Sequence, residues 1–167
     1  MSVYNLIKKR RSVRSFLKKE VSPARIKKIL DAGRWAPSGL NNQPWRFIVV
    51  KNKSLKDKLS RFTESSCVIR RADCAILVFL DKNHSYNKTK DIQAIGSCIQ
   101  NMLLCAKELG ISSCWLGEIL NRKNSVNKLI GIPLRYDLMA AVALGYSRKI
   151  PASRRVNLRK LILKEFR

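Results

Sequence analysis

The chain has 167 residues, 46% of them hydrophobic, so it can bury a core and we expect a single domain over residues 1–167. Its apolar stretches, such as "LMAAVALGY", cannot span a bilayer, and the N-terminus lacks the apolar core of a secretory signal, which predicts a cytoplasmic protein without a membrane partner. The 35 Lys and Arg against 11 Asp and Glu give a net charge of +24, which suits a phosphorylated or polyanionic partner or simply a basic, soluble surface.

The first half of the chain predicts helices on either side of one strand. A short helix covers Val3 to Lys9, and a second begins at Pro23 with Ser22 as its N-cap. The segment "RFIVVK" is typical of a short buried strand, and "KSLKDKLSRF" is typical of a surface helix with one apolar face.

The second half continues to alternate strands and helices. "CAILVFL" is a fully apolar strand, and the helix predicted from Asp91 to Leu109 is apolar nearly all round, which places it centrally. Gly110 ends this helix, and the strands "SSCWLGEI" and "LMAAVALGY" follow on either side of a helix from Lys123 to Ile130. Because the connections do not impose parallel strands, we predict an α+β fold whose sheet is covered by helices.

Three separated stretches offer hydrogen-bond donors to a planar, anionic ligand. Residues 10–14, "RRSVR", combine arginine forks with a serine, which suits a phosphate. Residues 36–45, "APSGLNNQPW", bend sharply and carry several side-chain amides, and residues 110–118, "GISSCWLGE", end where a glycine lets backbone N–H groups approach a ligand. Each stretch also has an ordinary explanation: solvated surface, a stiff connector whose Trp45 fills the core, and a strand exit.

Metal-dependent and Ser-His-Asp chemistry are not expected. The five cysteines form no Cys-x-x-Cys pair, so the sequence predicts no metal site and reduced, mostly buried thiols. The only histidine, His84, lies in a polar run that predicts a surface loop, and a catalytic triad would depend on it alone.

The order and wording of the three stretches resemble the FMN-dependent nitroreductase family. "RRSVRSF", then "APSGLNNQPWRFIVV", then "LGISSCWLG" after a central helix, with "GIPLRYDLMAAVALGY" and a basic C-terminal segment beyond, are similar to that family's pattern from about Asn5 to Arg159. The resemblance implies a three-layer α/β/α sandwich with a mainly antiparallel central sheet. It also implies a homodimer with FMN bound at the subunit interface.

The resemblance further assigns FMN-binding residues and no catalytic side chain, because the flavin N5 carries the chemistry. Arg10 and Ser12 are expected near the phosphate and Arg14 near the N1/O2 edge of the ring, where a fixed cation stabilises the reduced flavin. The bend at residues 37–41 is expected to come from the partner subunit. The expected set is Arg10, Arg11, Ser12, Arg14, Pro37, Ser38, Gly39, Asn41, Leu116, Gly117, Glu118, Arg154 and Arg155, where one of the last two completes the phosphate clamp.

The implied activity is a two-step, ping-pong oxidoreductase reaction. NAD(P)H gives a hydride to flavin N5 and leaves, and a nitroaromatic, quinone or similar acceptor then takes the electrons. Larger family members insert helices between the positions of Leu80 and Asp91, where this chain has only "DKNHSYNKTK", so the pocket is expected to be more open or differently covered.

Two alternatives remain open at the level of sequence. One is a family member that binds flavin without nitroreductase activity, and the other is a basic nucleic-acid-binding protein. Trp35, Trp45, Phe47 and Trp115 lie in apolar or loop contexts rather than along a basic stripe, which makes nucleic acid the less favoured partner.

Overall fold

The protein is described from residue 2 to residue 166 by a computed structural model. Its helices are α1 Val3–Lys9, α2 Pro23–Arg34, α3 Lys53–Leu59, α4 Ser66–Arg71, α5 Lys88–Glu108 and α6 Lys123–Ile130. Its strands are β1 Trp45–Val50, β2 Cys74–Asp81, β3 Ser112–Leu116 and β4 Tyr136–Gly145.

The strands form one four-stranded sheet in the order β1-β2-β4-β3, and every neighbouring pair is antiparallel. All eight residues of β2 are buried, as is most of β4. A strand that is buried on both faces has no polar side to alternate with its apolar one, which explains the continuous apolar runs in the sequence. The α+β class and the mainly antiparallel sheet are therefore confirmed.

Helices cover both faces of the sheet, so the predicted three layers are also confirmed. Successive residues of β2 point to opposite faces: Ile76 and Val78 pack beneath α2 and α5, whereas Leu77 and Phe79 pack beneath α3, α4 and α6. The central position predicted for α5 agrees with its many buried residues, which include Met102.

Most predicted boundaries hold within a few residues, and the differences have local causes. α5 begins at Lys88, before the predicted Asp91, because the Asn87 side chain accepts a hydrogen bond from the Lys90 N–H and caps the helix. β3 ends at Leu116, and the residues after it turn into a 3-10 helix. Ser22 occupies the predicted N-cap position, but its side chain makes no capping hydrogen bond.

The chain after α1 runs along one end of the sheet. Ser12 pairs with Ser113 of β3 in an isolated parallel bridge, and the Val13 N–H donates to the Ser113 carbonyl at 2.9 Å. Further on, the Leu17 N–H donates to the Tyr146 carbonyl, just beyond β4, at 2.8 Å. These bonds fix the "RRSVR" stretch beside β3.

The cysteines are free and mostly buried, as predicted, and only Cys67 is exposed. Burial raises the pKa of Cys74 and of Cys98 to about 12 in each case, so neither thiol ionises near neutral pH. Within residues 2–166, no group of His, Cys, Asp and Glu side chains is arranged to hold a metal ion. The helices of the same range are all too short or too polar to cross a membrane.

Candidate functional site: a cationic cavity and a strained loop

Arg10, Arg11 and Val13 of the "RRSVR" stretch line a small cavity whose polar side chains are cations and hydroxyls, whereas Ser12 and Arg14 lie outside its lining. The cavity measures about 90 Å³ and lies between the end of α1, the end of α5 and the start of β3. None of its lining residues is acidic. Its polar lining side chains are Lys9, Arg10, Arg11, Lys107, Ser112, Ser113 and Ser147.

Arg10 is a half-buried cation of this cavity. Burial lowers its pKa below the usual value, and the positive charges of Arg155 and Arg11 lower it further. No ion pair between residues of the described range involves Arg10. Arg11 instead turns back and donates to the carbonyls of Lys8 at 2.5 Å and Arg10 at 2.8 Å. A bound anion would relieve the repulsion between these arginines.

The stretch also brings Arg14 near β3. Burial raises the pKa of the Cys114 thiol in β3, and the charges of Arg14 and Arg10 partly oppose that rise, so both cations lie within electrostatic reach of the strand. Arg14 is exposed, and no hydrogen bond among residues 2–166 engages its side chain. It is therefore available to a ligand.

The end of β3 offers its backbone rather than its side chains. Leu116 is buried in the core and Gly117 is exposed. The Glu118 carboxylate accepts hydrogen bonds from the Thr63 hydroxyl at 2.5 Å and the Glu64 N–H at 2.8 Å, which lower its pKa. The Glu118 side chain thus holds residues 63–64 in place.

The loop at residues 36–45 is more strained than a simple turn requires. Leu40, Asn41 and Gln43 all have a positive φ, of 53°, 53° and 45°. Non-glycine residues in this conformation are uncommon, and such strain clusters at functional sites. Leu40 is also 85% exposed at the tip, whereas Trp45 is buried, as expected for a residue that anchors the loop.

Of the three side-chain amides in this loop, only that of Asn41 has no hydrogen-bond partner among residues 2–166. The Asn42 amide donates to Asp91 Oδ1 and to the His84 carbonyl, each at 2.7 Å. The Gln43 amide donates to the Asn41 carbonyl at 3.2 Å. No hydrogen bond within residues 2–166 uses the Asn41 side chain, which is exposed. The Asn42 and Gln43 side chains therefore hold the loop together, as the alternative explanation of a stiff connector requires.

The cationic cavity and the loop lie at opposite ends of α5 in one chain. Asn42 bonds to Asp91 in the first turn of the helix, whereas Lys107 in its last turn lines the cavity. Sixteen residues of α-helix span about 24 Å. One protomer therefore does not place residues 37–41 beside Arg10.

The C-terminal segment contributes Arg155 rather than Arg154 to the cationic region. Arg155 lines a cavity of about 300 Å³ with Ile7, Lys8, Arg11 and Ser153, whereas Arg154 lines neither this cavity nor the one around Arg10. After burial itself, Arg155 is also the charge that lowers the pKa of Arg10 most. Both arginines are exposed.

Sequence reasoning missed some residues that the structure brings to these places. Lys107 and Ser147 line the cavity around Arg10, but nothing distinguishes them in sequence from other polar residues at element ends. Tyr86 lies against Gly39 of the strained loop. An aromatic residue inside the polar run "DKNHSYNKTK" is the one signal that could have drawn attention to Tyr86.

The donors around Arg10 are positively charged or hydroxylic and lie in a cavity without acidic lining residues, an arrangement typical of proteins that bind a phosphate group. The family follows from comparison with known proteins. The profile of the nitroreductase family matches residues 7–66 and 60–146. This chain belongs to the nitroreductase family.

Individual relatives are similar in sequence to this chain over most of its length. A candidate NADH dehydrogenase/NAD(P)H nitroreductase of Archaeoglobus fulgidus is 36% identical over 146 residues, which cover 86% of this chain and 84% of the relative. Its counterpart in Methanothermobacter thermautotrophicus is 32% identical over 156 residues, or 92% and 82% of the two chains. The crystal structure of a candidate nitroreductase from Desulfovibrio desulfuricans, in complex with FMN, is 41% identical, with a TM-score of 0.96 and coverage of 99% and 97%.

Proposed function

We propose that this protein is an FMN-dependent oxidoreductase that passes reducing equivalents from NAD(P)H to a nitroaromatic, quinone or similar acceptor. The observation that carries the proposal is the acid-free cavity around Arg10, where cations and serine hydroxyls converge as a phosphate requires. Membership of the nitroreductase family and the FMN complex of the Desulfovibrio relative support the same ligand.

The proposed roles follow from the position of each residue and from the hydrogen-bonding groups that it has available for a ligand. Arg10 and Arg11 of the cavity lining hold the phosphate, together with Ser12, which pairs with the lining residue Ser113, and with Arg155 as the tail arginine that completes the clamp. Arg14 supplies a cation to the ring, and the backbone of residues 116–118 faces it, since the Glu118 carboxylate is already engaged.

Bound FMN would supply the two-electron chemistry, which none of these side chains can perform. The part of this chain is to bind and orient the phosphate and the ring and to limit the access of water. No histidine, paired carboxylate or metal site is needed for that work.

A homodimer completes the proposed site. Pro37, Ser38, Gly39 and Asn41 lie about 24 Å along α5 from the cationic cavity of their own chain, so they serve the cofactor of a second copy. Apolar residues that a single copy leaves exposed support this arrangement. They include Val3, Tyr4, Ile7, Trp35, Leu40, Leu158, Leu161, Leu163 and Phe166.

The decisive experiment is reconstitution of the purified protein with FMN, followed by anaerobic addition of NADH or NADPH. We expect a yellow protein whose flavin absorbance bleaches with one of the nucleotides and returns when a quinone or nitroaromatic is added. FMN that neither nucleotide bleaches would favour a flavin-binding protein without this activity. A protein that cannot take up FMN but retards DNA in a gel would favour the nucleic-acid alternative.

A further inference from the structure

Residues 82–87, here called the cap segment, form a short, tightly held connection between β2 and α5. Asp81, which is 3% exposed, bonds to His84 Nδ1 at 3.0 Å and pairs with Arg46 at 3.2 Å. The Lys82 N–H donates to the Arg135 carbonyl at 3.0 Å. The cap segment is thereby fixed to β1 and to the loop before β4.

The buried carboxylate of Asp91 fastens the cap segment to the strained loop. It accepts hydrogen bonds from the Ser85 hydroxyl at 2.6 Å and from the N–H groups of Tyr86 and Asn87, each at 3.1 Å. Its other oxygen accepts from the Asn42 amide at 2.7 Å. Four groups from two loops thus share one carboxylate, so the cap segment and the loop hold a single relative position.

This attachment places the Tyr86 ring directly over Gly39. A Cβ on Gly39 would lie 2.6 Å from Tyr86 Cε1 and Cζ, and closer still to the hydroxyl oxygen. Real Cβ atoms do not approach side chains so closely, so the ring occupies the space that any other residue at position 39 would fill. Tyr86 is nevertheless 44% exposed. The hydroxyl end of the ring covers Gly39 and the Lys90 ammonium lies 5.4 Å from the ring centroid, so the exposed part of the ring is what remains for an approaching ligand.

We infer that Tyr86 forms one wall of the acceptor pocket and helps to select planar aromatic or quinone acceptors. The inference rests on the proposed function, because Gly39 is there expected to approach the FMN held by the partner subunit. A phenol can stack on a flat acceptor and donate a hydrogen bond from its hydroxyl to a nitro or quinone oxygen. The cap segment thus does, as a rigid wall, what the inserted helices of larger family members do.

The test compares Tyr86→Ala and Tyr86→Phe with the wild-type FMN-loaded protein. Benzoate, a flat aromatic that accepts no electrons here, is titrated into the oxidised protein, and its dissociation constant is read from the perturbed flavin absorbance. We expect Tyr86→Ala to weaken benzoate binding about tenfold, as the loss of one aromatic contact allows. FMN affinity is expected to stay within about twofold of wild type, because no proposed phosphate contact is touched.

Steady-state kinetics with a quinone distinguish a direct contact between Tyr86 and the acceptor from a role of Tyr86 in supporting the loop alone. If Tyr86 contacts the acceptor, Tyr86→Ala raises KM for the quinone, whereas Tyr86→Phe keeps stacking and shows a smaller KM change. If Tyr86 only supports Gly39, FMN affinity falls and benzoate binding per loaded site is unchanged. That second result overturns the inference.

Gly39→Ala provides a matched variant that displaces the ring without removing it. The new methyl group must push Tyr86 aside, which a flexible side chain allows, so benzoate binding is expected to weaken as it does in Tyr86→Ala. In the double variant the collision is absent, and benzoate binding should be no weaker than in Tyr86→Ala alone. Wild-type protein that binds and reduces FMN while all three variants keep wild-type benzoate affinity overturns the inference alone. Wild-type protein that takes up no FMN overturns the proposed function and this inference together.

Discussion

Arg14 is an exposed cation that forms no side-chain hydrogen bond or ion pair with residues 2–166, which leaves its guanidinium group free for a ligand. On the proposed function, Arg14→Ala removes a charge beside the flavin ring and should weaken FMN binding about tenfold. The flavin's reduction potential should also fall, because a fixed cation favours the reduced, more negative form. Both are measured on the reconstituted protein, by fluorescence titration and by redox titration.

A suitable control for Arg14→Ala is Arg70→Ala. Arg70 is an exposed arginine on α4, so its removal lowers the net charge by the same amount without touching the proposed site. FMN affinity that is equal in the two variants would show that Arg14 acts only through overall charge.

Asp91 is a buried carboxylate, and we expect its contribution to the free energy of unfolding to depend on pH. Burial by itself would raise its pKa, but the hydrogen bonds from Ser85, from Asn42 and from the backbone of Asn87 and Tyr86 outweigh that effect, and the pKa is lowered. A group with a lowered folded-state pKa stabilises the protein above its unfolded pKa. That stabilisation is lost as the pH falls through the folded pKa.

Asp91→Asn should therefore reduce the free energy of unfolding at pH 7 by about 3 kcal/mol, because an amide cannot accept from all the donors around it. Urea unfolding at pH 7 and at pH 3 measures the change, and the deficit relative to wild type should shrink at the lower pH. Asp31→Asn, which breaks an exposed pair with Arg34, is the control and should cost less than about 1 kcal/mol. A deficit that does not depend on pH would contradict the role of the Asp91 charge.

The sequence indicated which stretches matter but not which side chains in them are free. Asn41 and Asn42 are adjacent and chemically identical, yet Asn42 is committed to Asp91, which lies 49 residues away. Local pattern cannot reveal a hydrogen bond between distant segments. For the same reason, the sequence could not predict that Tyr86 lies over Gly39 or that the Glu118 carboxylate accepts a hydrogen bond from Thr63.

At the scale of elements, most helices and strands were predictable, including the short helices α1 and α6, whereas α4 was not. The amino-acid composition of α5 and β2 is enough to predict them. By contrast, α4 is six residues long, and no N-terminal side chain caps it with a hydrogen bond. A helix this short is marginal by itself and forms because Val68 and Ile69 pack beneath the sheet. Tertiary contacts of this kind leave no periodic signal.

The packing of α2 on α5 depends on Gly33. A Cβ at this position would lie 2.8 Å from Met102 Cγ and 3.1 Å from Cys98 Sγ. Gly33→Val should overpack the interface and cost about 2 kcal/mol, or roughly 6 °C in Tm, measured by thermal unfolding. In a Met102→Ala background the same change should cost less, which a double-mutant cycle detects.

Gly96 of α5 is the matched control for Gly33. Its nearest neighbour for an added Cβ is Trp115, at 3.9 Å, which is ordinary contact. Gly96→Ala should therefore leave the stability unchanged or raise it by up to about 1 kcal/mol, because alanine is the better helix former. A loss in Gly96→Ala as large as that in Gly33→Val would show that crowding by Met102 and Cys98 is not the cause.

At the scale of the whole molecule, the net charge of +24 exceeds what one phosphate site can use. The few cations around Arg10 account for a small part of it, and the remainder is spread over the surface. Such a field raises the encounter rate of any anion and weakens with salt. The net charge therefore favours phosphorylated ligands in general without identifying one. Only the cavity around Arg10 provides a particular place for a phosphate group.

The C-terminal segment provides the sharpest test of the whole assembly. Every residue from 148 to 166 is exposed, including Leu163 at 99% and Ile150 at 62%, so the segment adds nothing to the core of its own chain. Apolar side chains left in water represent unused stabilisation of about 25 cal/mol per Å². A second copy that covers them would recover it.

Ending the chain after Ser147 should therefore leave the circular dichroism of the fold intact and yet produce a monomer by light scattering that retains no FMN. Arg155→Ala separates the two losses, since it keeps the apolar residues of the segment and removes only the proposed phosphate contact. That variant should remain a dimer and bind FMN about tenfold more weakly. A shortened chain that is still dimeric and yellow would mean that neither the assembly nor the cofactor depends on this segment, and the phosphate clamp would then have to be built from Arg10, Arg11 and Ser12 alone.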